Sequence, residues 1–122
     1  MSSVPEPRLR DYLEHMLQAI ERISRYTTGM DRTGFTSAEQ TQDAVIRNFE
    51  IIGEAARNIE RRHPEFTLAN ADIPWKFAYE MRNALSHGYF KVDLQLVWDT
   101  IHGDLPTLES QLRRLLTNLT SD

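Results

Sequence analysis

Apolar residues return along this chain at steps of three and four, and nowhere for long at steps of two. Leu9, Leu13, Met16, Leu17, Ile20 and Ile23 mark one face of a first helix, because the 3.6-residue period lays such positions on a single stripe. Gly29, after Tyr26-Thr27-Thr28, is the expected stop, since glycine takes the left-handed conformation without a Cβ penalty. Gly34 lies in the connection that follows. Ser37-Ala38-Glu39-Gln40 has a capping-box pattern and predicts the start of a second helix. The stripe of that helix is Val45, Phe49, Ile52, Ala56 and Ile59, widened by Ala44, Ile51 and Ala55. His63-Pro64 ends it, because a residue before proline avoids the helical region.

Residues 64–73 read as a loop. Asp72 is the expected cap of a third helix and Pro74 suits its first turn, where a missing N–H costs nothing. Trp75, Ala78, Met81 and Leu85 form its apolar face, and Gly88 is its natural stop. Asp93 caps a fourth helix, buried along Leu94, Val97, Trp98, Ile101 and Leu105. Pro106 is expected to kink or split it, and Leu108, Leu112, Leu115 and Leu119 carry the stripe onward. No repeat and no low-complexity segment interrupts the pattern. It predicts an all-α, up-and-down bundle of four main helices, in one domain spanning residues 1–122.

Composition adds limits rather than a function. A chain of 122 residues buries a real core, although a second copy would help to cover its apolar surface. It has no cysteine, hence no disulfide framework and no thiolate chemistry. The first residues lack the apolar run of a signal peptide, and no run approaches the roughly 20 residues of a spanning helix. A cytoplasmic protein is the expectation. The net charge of −4 gives no overall basic footprint for nucleic acid. Locally the balance differs, because Arg57, Arg61, Arg62 and His63 cluster near one helix end. Asp43, Arg47, Glu50, Glu54 and Arg57 form a charged row at helical spacing. Such a row is either a solvated face or the wall of a polar groove between helices. Gly53 beside Glu54 would let another backbone come close.

The stretch from Met81 to Phe90 is not explained by packing. It carries Arg82, Asn83, His87 and Tyr89 within ten residues. A histidine with an ordinary pKa near about 6.5 exchanges protons at neutral pH. An arginine holds a phosphate by two parallel hydrogen bonds and stabilises charge growing on its oxygens. Together they suit metal-independent cleavage of a phosphodiester in RNA, where the ribose 2′-hydroxyl is the nucleophile. Geometry sets a condition. Arg82 and His87 are five residues apart, about 140° round a helix axis. They converge only if the helix ends at His87-Gly88 and Arg82 uses its length, or across a two-fold axis between two copies. Spacing alone leaves a second reading open, in which both are surface or cap residues and Tyr89 is a boundary tyrosine with a wet hydroxyl. His15, His63 and His102 lie on separate segments without metal-ligand spacing, so neither metal nor cofactor is expected.

The run Arg82-Asn83-Ala84-Leu85-Ser86-His87-Gly88-Tyr89 resembles the R-x4-H-x-Y motif of the HEPN superfamily. More of the chain is similar to its HepT-like branch: Ala44-Val45-Ile46-Arg47, Ile51-Ile52-Gly53-Glu54-Ala55-Ala56, Ile73-Pro74-Trp75, Tyr89-Phe90-Lys91-Val92-Asp93 leading to Val97-Trp98, and Asp104-Leu105-Pro106. The resemblance covers roughly residues 8–116. It implies a toxin of a toxin–antitoxin pair, an all-α homodimer that cleaves RNA without metal at a cleft shared by both motifs. It implies Arg82 and His87 as the catalytic pair, Asn83 as a supporting polar residue and Glu54 as a possible cleft residue. The implied partner is an MNT-type nucleotidyltransferase antitoxin, which silences the toxin by transferring AMP from ATP to Tyr89. A different function stays open beside it: a non-catalytic helical module that serves such a nucleotidyltransferase as a substrate-binding subunit.

Overall fold

The computed structural model describes residues 8–86 and 93–119, with side-chain surroundings for residues 8–81 and 93–119. Six helices make up the described chain, and no strand occurs among the described residues: α1 (Leu9–Tyr26), α2 (Arg32–Thr36), α3 (Glu39–Arg62), α4 (Pro64–Ala69), α5 (Trp75–Ser86) and α6 (Leu94–Asn118). The four long ones are the expected bundle. None is long and apolar enough to cross a membrane.

α1 buries Tyr12, Leu13, Met16, Ala19, Ile20 and Ile23; of the expected stripe Leu9 and Leu17 are only partly buried, and Tyr12 and Ala19 complete the buried face instead. Its first turn is held by the Asp11 carboxylate, which accepts the Arg8 amide at 2.9 Å. The Thr27 hydroxyl closes the other end by donating to the Ile23 carbonyl at 2.9 Å, and Gly29 takes φ +80 just beyond. α3 lies antiparallel beside α1 and buries Val45, Phe49, Ile52, Ala56 and Ile59 as read from the pattern. Asn48 is buried too. Its amide donates to the Ala44 carbonyl and its oxygen faces Arg22 of α1. α5 packs on α3, and α6 packs on α1 in the opposite sense, with Arg10 near the start of α1 donating to the Leu119 carbonyl.

Several local expectations are corrected. Ser37 does not cap α3. Its hydroxyl donates to the Thr33 carbonyl, so it closes the short helix α2, and α3 opens after Ala38 without a side-chain cap. α2 itself stands in what reads as a connection. Asp31 caps it by accepting the Gly34 amide at 2.7 Å, and it buries Phe35 against Trp98 at 5.4 Å between ring centroids. Residues 64–73 are not all loop, because Pro64–Ala69 form α4. The proline that ends α3 also fits the first turn of a new helix, where its fixed φ is an advantage. Phe66 of α4 then meets Trp75 edge to face at 6.1 Å.

α5 starts at Trp75, with the Pro74 carbonyl accepting the Ala78 amide. The expected cap, Asp72, points elsewhere: its carboxylate accepts from Arg114 of α6 at 2.9 Å, and Gln111 of α6 donates to its backbone carbonyl. Asp93 does cap α6, accepting the Leu96 amide at 3.1 Å. α6 runs through Pro106 as one helix rather than two. Proline removes one rung of the hydrogen-bond ladder, but Leu105, Leu108, Leu112 and Leu115 on both sides of it are buried on one face, and that burial holds the two halves in line. The stop proposed at Gly88 lies outside the described residues.

The Arg114 hydrogen bond holds the Asp72 carboxyl below the ordinary carboxylate range, against a smaller opposing effect of desolvation. The sign follows: any stability from this exposed pair is present above the unfolded-state pKa of about 3.9 and is lost as pH falls through the lower folded-state value. In an NMR titration of the carboxyl carbons, Asp72 is expected to titrate below the exposed aspartates. Arg114→Ala should return it to their range. An unchanged midpoint in Arg114→Ala would return Asp72 to the role of a helix cap.

Candidate functional site

α5 is the element that carries the motif. Arg82 and Asn83 lie in its last two turns, and Ser86 is its last residue. The side chains of Arg82 and Asn83, and all of His87 and Tyr89, lie outside the described residues. The surroundings are therefore built from α3, against which α5 packs.

A side-chain contact links these helices. The Arg57 guanidinium of α3 lies over the Tyr79 ring of α5, 5.3 Å from its centroid. Three residues back along α3 stands Glu54 and three forward along α5 stands Arg82, each about 4.5 Å along its own helix from the residue that makes this contact, at about 1.5 Å per residue. Glu54 is exposed and follows the buried Gly53. It makes no ion pair or hydrogen bond among the described residues.

On its other side Glu54 borders a groove of about 170 Å³ between α1 and α3, lined also by Tyr12, His15, Arg47, Glu50 and Asn58. Arg47 and Glu50 form an ion pair at 3.5 Å on its rim. The charged row of α3 is thus divided. Asp43 is a solvated position, whereas Arg47, Glu50 and Glu54 stand at a groove whose exposed lining is mainly apolar. The His15 ring stands edge-on to Tyr12 at 6.5 Å. His102 is occupied structurally, with Nδ1 at 3.0 Å from the Trp98 carbonyl and its ring 4.2 Å from that indole. Among the described residues no group of His, Asp or Glu is placed to hold a metal ion.

A larger cavity, about 310 Å³, opens between the end of α1 and the middle of α6. Ile20, Ile23, Met30 and Leu105 line its floor, and Ser24, Thr28, His102 and Glu109 its edge. Glu54, the sequence-predicted site residue whose side chain is described, does not line it. Thr28 donates to the Ser24 carbonyl and Glu109 accepts from Arg113 at 2.8 Å, so two of these polar groups are already engaged.

The sequence reading missed Tyr79. The signal was present in retrospect: Tyr79 stands three residues before Arg82, one turn away on the same helix. What could not be read is that Arg57, from a distant stretch, lies on it.

The family model described as "Ribonuclease HepT-like" matches residues 16–115. A probable ribonuclease HepT of Thermococcus cleftensis is 41% identical over 106 residues, 87% of this chain and 94% of that protein. A candidate RNase of Caldanaerobacter subterraneus is 36% identical over 107 residues, 88% of this chain and 93% of its own length. A Methanocaldococcus jannaschii protein, named as a gamma-glutamylcyclotransferase and candidate RNase, is 41% identical over 108 residues; these cover 88% of this chain but 47% of that protein. No solved structure gives a significant match.

Because Glu54 is exposed and without a partner among the described residues, Glu54→Gln should unfold in urea within about 0.5 kcal/mol of the wild-type free energy. A much larger loss would show that the carboxylate is a structural group and not a free wall of the groove.

Proposed function

The chain belongs to the HepT-like ribonuclease family, and from that premise we propose that it is the toxin of a toxin–antitoxin pair, a metal-independent endoribonuclease working at a cleft between two copies of the chain. The observation that carries this reading is the Arg82-x4-His87-x-Tyr89 motif, set within a family match that spans residues 16–115.

In this reading His87 takes the proton from a ribose 2′-hydroxyl. The 2′-oxygen attacks the adjacent phosphorus, and the bond from phosphorus to the 5′-oxygen breaks. The leaving 5′-oxygen takes a proton from water, and His87 later returns its proton to solvent, so the products are a 2′,3′-cyclic phosphate and a 5′-hydroxyl end. Arg82 holds the non-bridging oxygens as charge grows on them. Asn83 supports the phosphate, and Glu54, on the helix that packs against α5, borders the same cleft. Arg82 and His87 stand about 140° apart on an ideal helix, which favours a shared site in which two copies bring their motifs together.

The RNA is the substrate, and the partner that regulates it is a cognate MNT-type nucleotidyltransferase. Transfer of AMP from ATP to the Tyr89 hydroxyl, with pyrophosphate leaving, would put a phosphodiester charge and a bulky nucleotide beside Arg82. The charge would occupy the arginine that holds the RNA phosphate, and the bulk would close the cleft.

Purified protein is expected to cleave total RNA in EDTA, and His87→Ala or Arg82→Ala should each slow this by about 10²–10⁴ with helical content unchanged by circular dichroism. Full cleavage by either variant removes that residue from the mechanism. Partner binding without any RNA cleavage by the wild-type dimer would instead identify a non-catalytic binding module.

Incubation with the cognate nucleotidyltransferase and ATP should add the mass of AMP to the wild type and stop cleavage. Tyr89→Phe should keep its nuclease activity and gain no mass. The same mass gain and the same silencing in Tyr89→Phe would place the modification on another residue.

A further inference from the structure

Arg57 is unused by the chemistry above, and like Arg25, which lies 5.7 Å over the Tyr26 ring, it is seated on a tyrosine; unlike Arg25 it sits on the helix that packs against α5. Other arginines are tied to carboxylates: Arg10 to Glu14, Arg32 to Asp99, Arg47 to Glu50, Arg113 to Glu21 and Glu109, and Arg114 to Asp72. Arg57 and Arg61, one turn apart on α3, are both exposed and have no such partner among the described residues. Glu54 and Glu60 lie three residues either side of Arg57, at ion-pair spacing on a helix, yet neither pairs with it. The Tyr79 ring holds the guanidinium instead, at 5.3 Å. A guanidinium is planar and weakly hydrated, so an aromatic face holds it well. Seated in this way it keeps its edge of N–H donors for an incoming anion, and a phosphate matches that edge in two-point geometry.

Position names the anion. Tyr79 is one turn before Arg82 on α5, so Arg57 sits about 4.5 Å along the axis from the level of Arg82. Arg61 continues the line about 6 Å further along α3. We propose that Arg57, seated on Tyr79, and Arg61 form a phosphate-binding strip that holds the single-stranded RNA flanking the bond cleaved at the α5 motif. The strip rests on the ribonuclease reading, and it adds two phosphate contacts on α3 that lie outside the motif.

The test separates the two ideas. In full-length protein carrying His87→Ala, so that RNA stays intact, fluorescence anisotropy of a labelled oligouridylate is followed across a salt series. Arg57→Ala and Arg61→Ala should each weaken binding by about tenfold, the value of one charge-assisted hydrogen bond. Each should also flatten the slope of log K against log salt by about 0.7, the contribution of one phosphate on a single strand. Arg57→Lys should keep the slope but lose part of the affinity, because the stacked plane is gone. Arg113→Ala removes a charge that is already paired on α6, and should leave binding unchanged. In the cleaving chain the strip variants should raise KM and spare kcat.

Wild-type affinity and slope in both strip variants would overturn the strip even if the protein cleaves RNA normally, as would an equal loss in Arg113→Ala. A protein that binds the RNA but never cleaves it defeats the ribonuclease reading, and the slopes still decide the strip. A protein that binds no RNA defeats both.

Discussion

The antiparallel contact between α1 and α3 is the constraint on which the other elements depend. Leu13, Met16 and Ile23 of α1, and Val45, Ala56 and Ile59 of α3, are completely buried in one core. Each large apolar side chain removed from water is worth about 1.5–3 kcal/mol, so this seam is the largest cohesive unit available to the chain. α5 packs onto α3 and α6 onto α1, so neither outer helix has its place without the inner pair. The seam is also pinned in register. Asn48 is buried, and its oxygen faces the Arg22 guanidinium at 3.5 Å. Sliding α3 along α1 would strip Asn48 of that partner inside the core, and an unsatisfied buried amide costs about 1–3 kcal/mol.

The same helix that anchors the core presents the polar face. Along α3 the buried arc holds Val45, Phe49, Ile52, Ala56 and Ile59, while Arg47, Glu54, Arg57 and Arg61 fall on the outward arc. The middle of the helix reads Gly53-Glu54-Ala55-Ala56, and its three small residues are buried where α1 and α5 come against it. Small residues permit close approach of neighbouring helices. Across the α3–α5 interface Arg57 reaches the Tyr79 ring. A groove wall built on a packed helix is held more rigidly than one built on a loop.

The sequence was most readable where one physical cause dominated. The stripes of α1, α3 and α6 were legible along their middles, with Leu9, Leu17, Leu94 and Leu119 only partly buried, because a 3.6-residue period over several turns has no other explanation. Asp93 was legible as a cap for the same reason, since its bond to Leu96 is local. Ser37 was misread because the same hydroxyl had two local acceptor–donor choices, and α2, too short to show periodicity, took it. Asp72 was misread because its partner, Arg114, lies forty-two positions away. α4 was hidden because Pro64 marks both an end and a beginning. In the candidate site the motif on α5 was legible as a string of residue types. The pairing of Arg57 with Tyr79 was not, because it depends on the register of two helices that only packing sets.

Net charge is a poor guide to what such a surface binds. At physiological ionic strength charges further apart than about 8 Å are largely screened from one another. The total of −4 therefore averages over regions that an approaching phosphate does not sense together. Ion pairs lower the effective local charge further: Arg113 is enclosed by Glu21 and Glu109, and Arg114 by Asp72. What a polyanion meets is set by the cations left over after such pairing. Among the described residues of α3 those include Arg57, seated on an aromatic ring instead of a carboxylate, and Arg61 beside it, on the helix that packs against the motif-bearing α5. An acidic chain can thus present arginines in line along one helix even with Glu54 and Glu60 nearby, because the aromatic ring and not a carboxylate holds the Arg57 guanidinium.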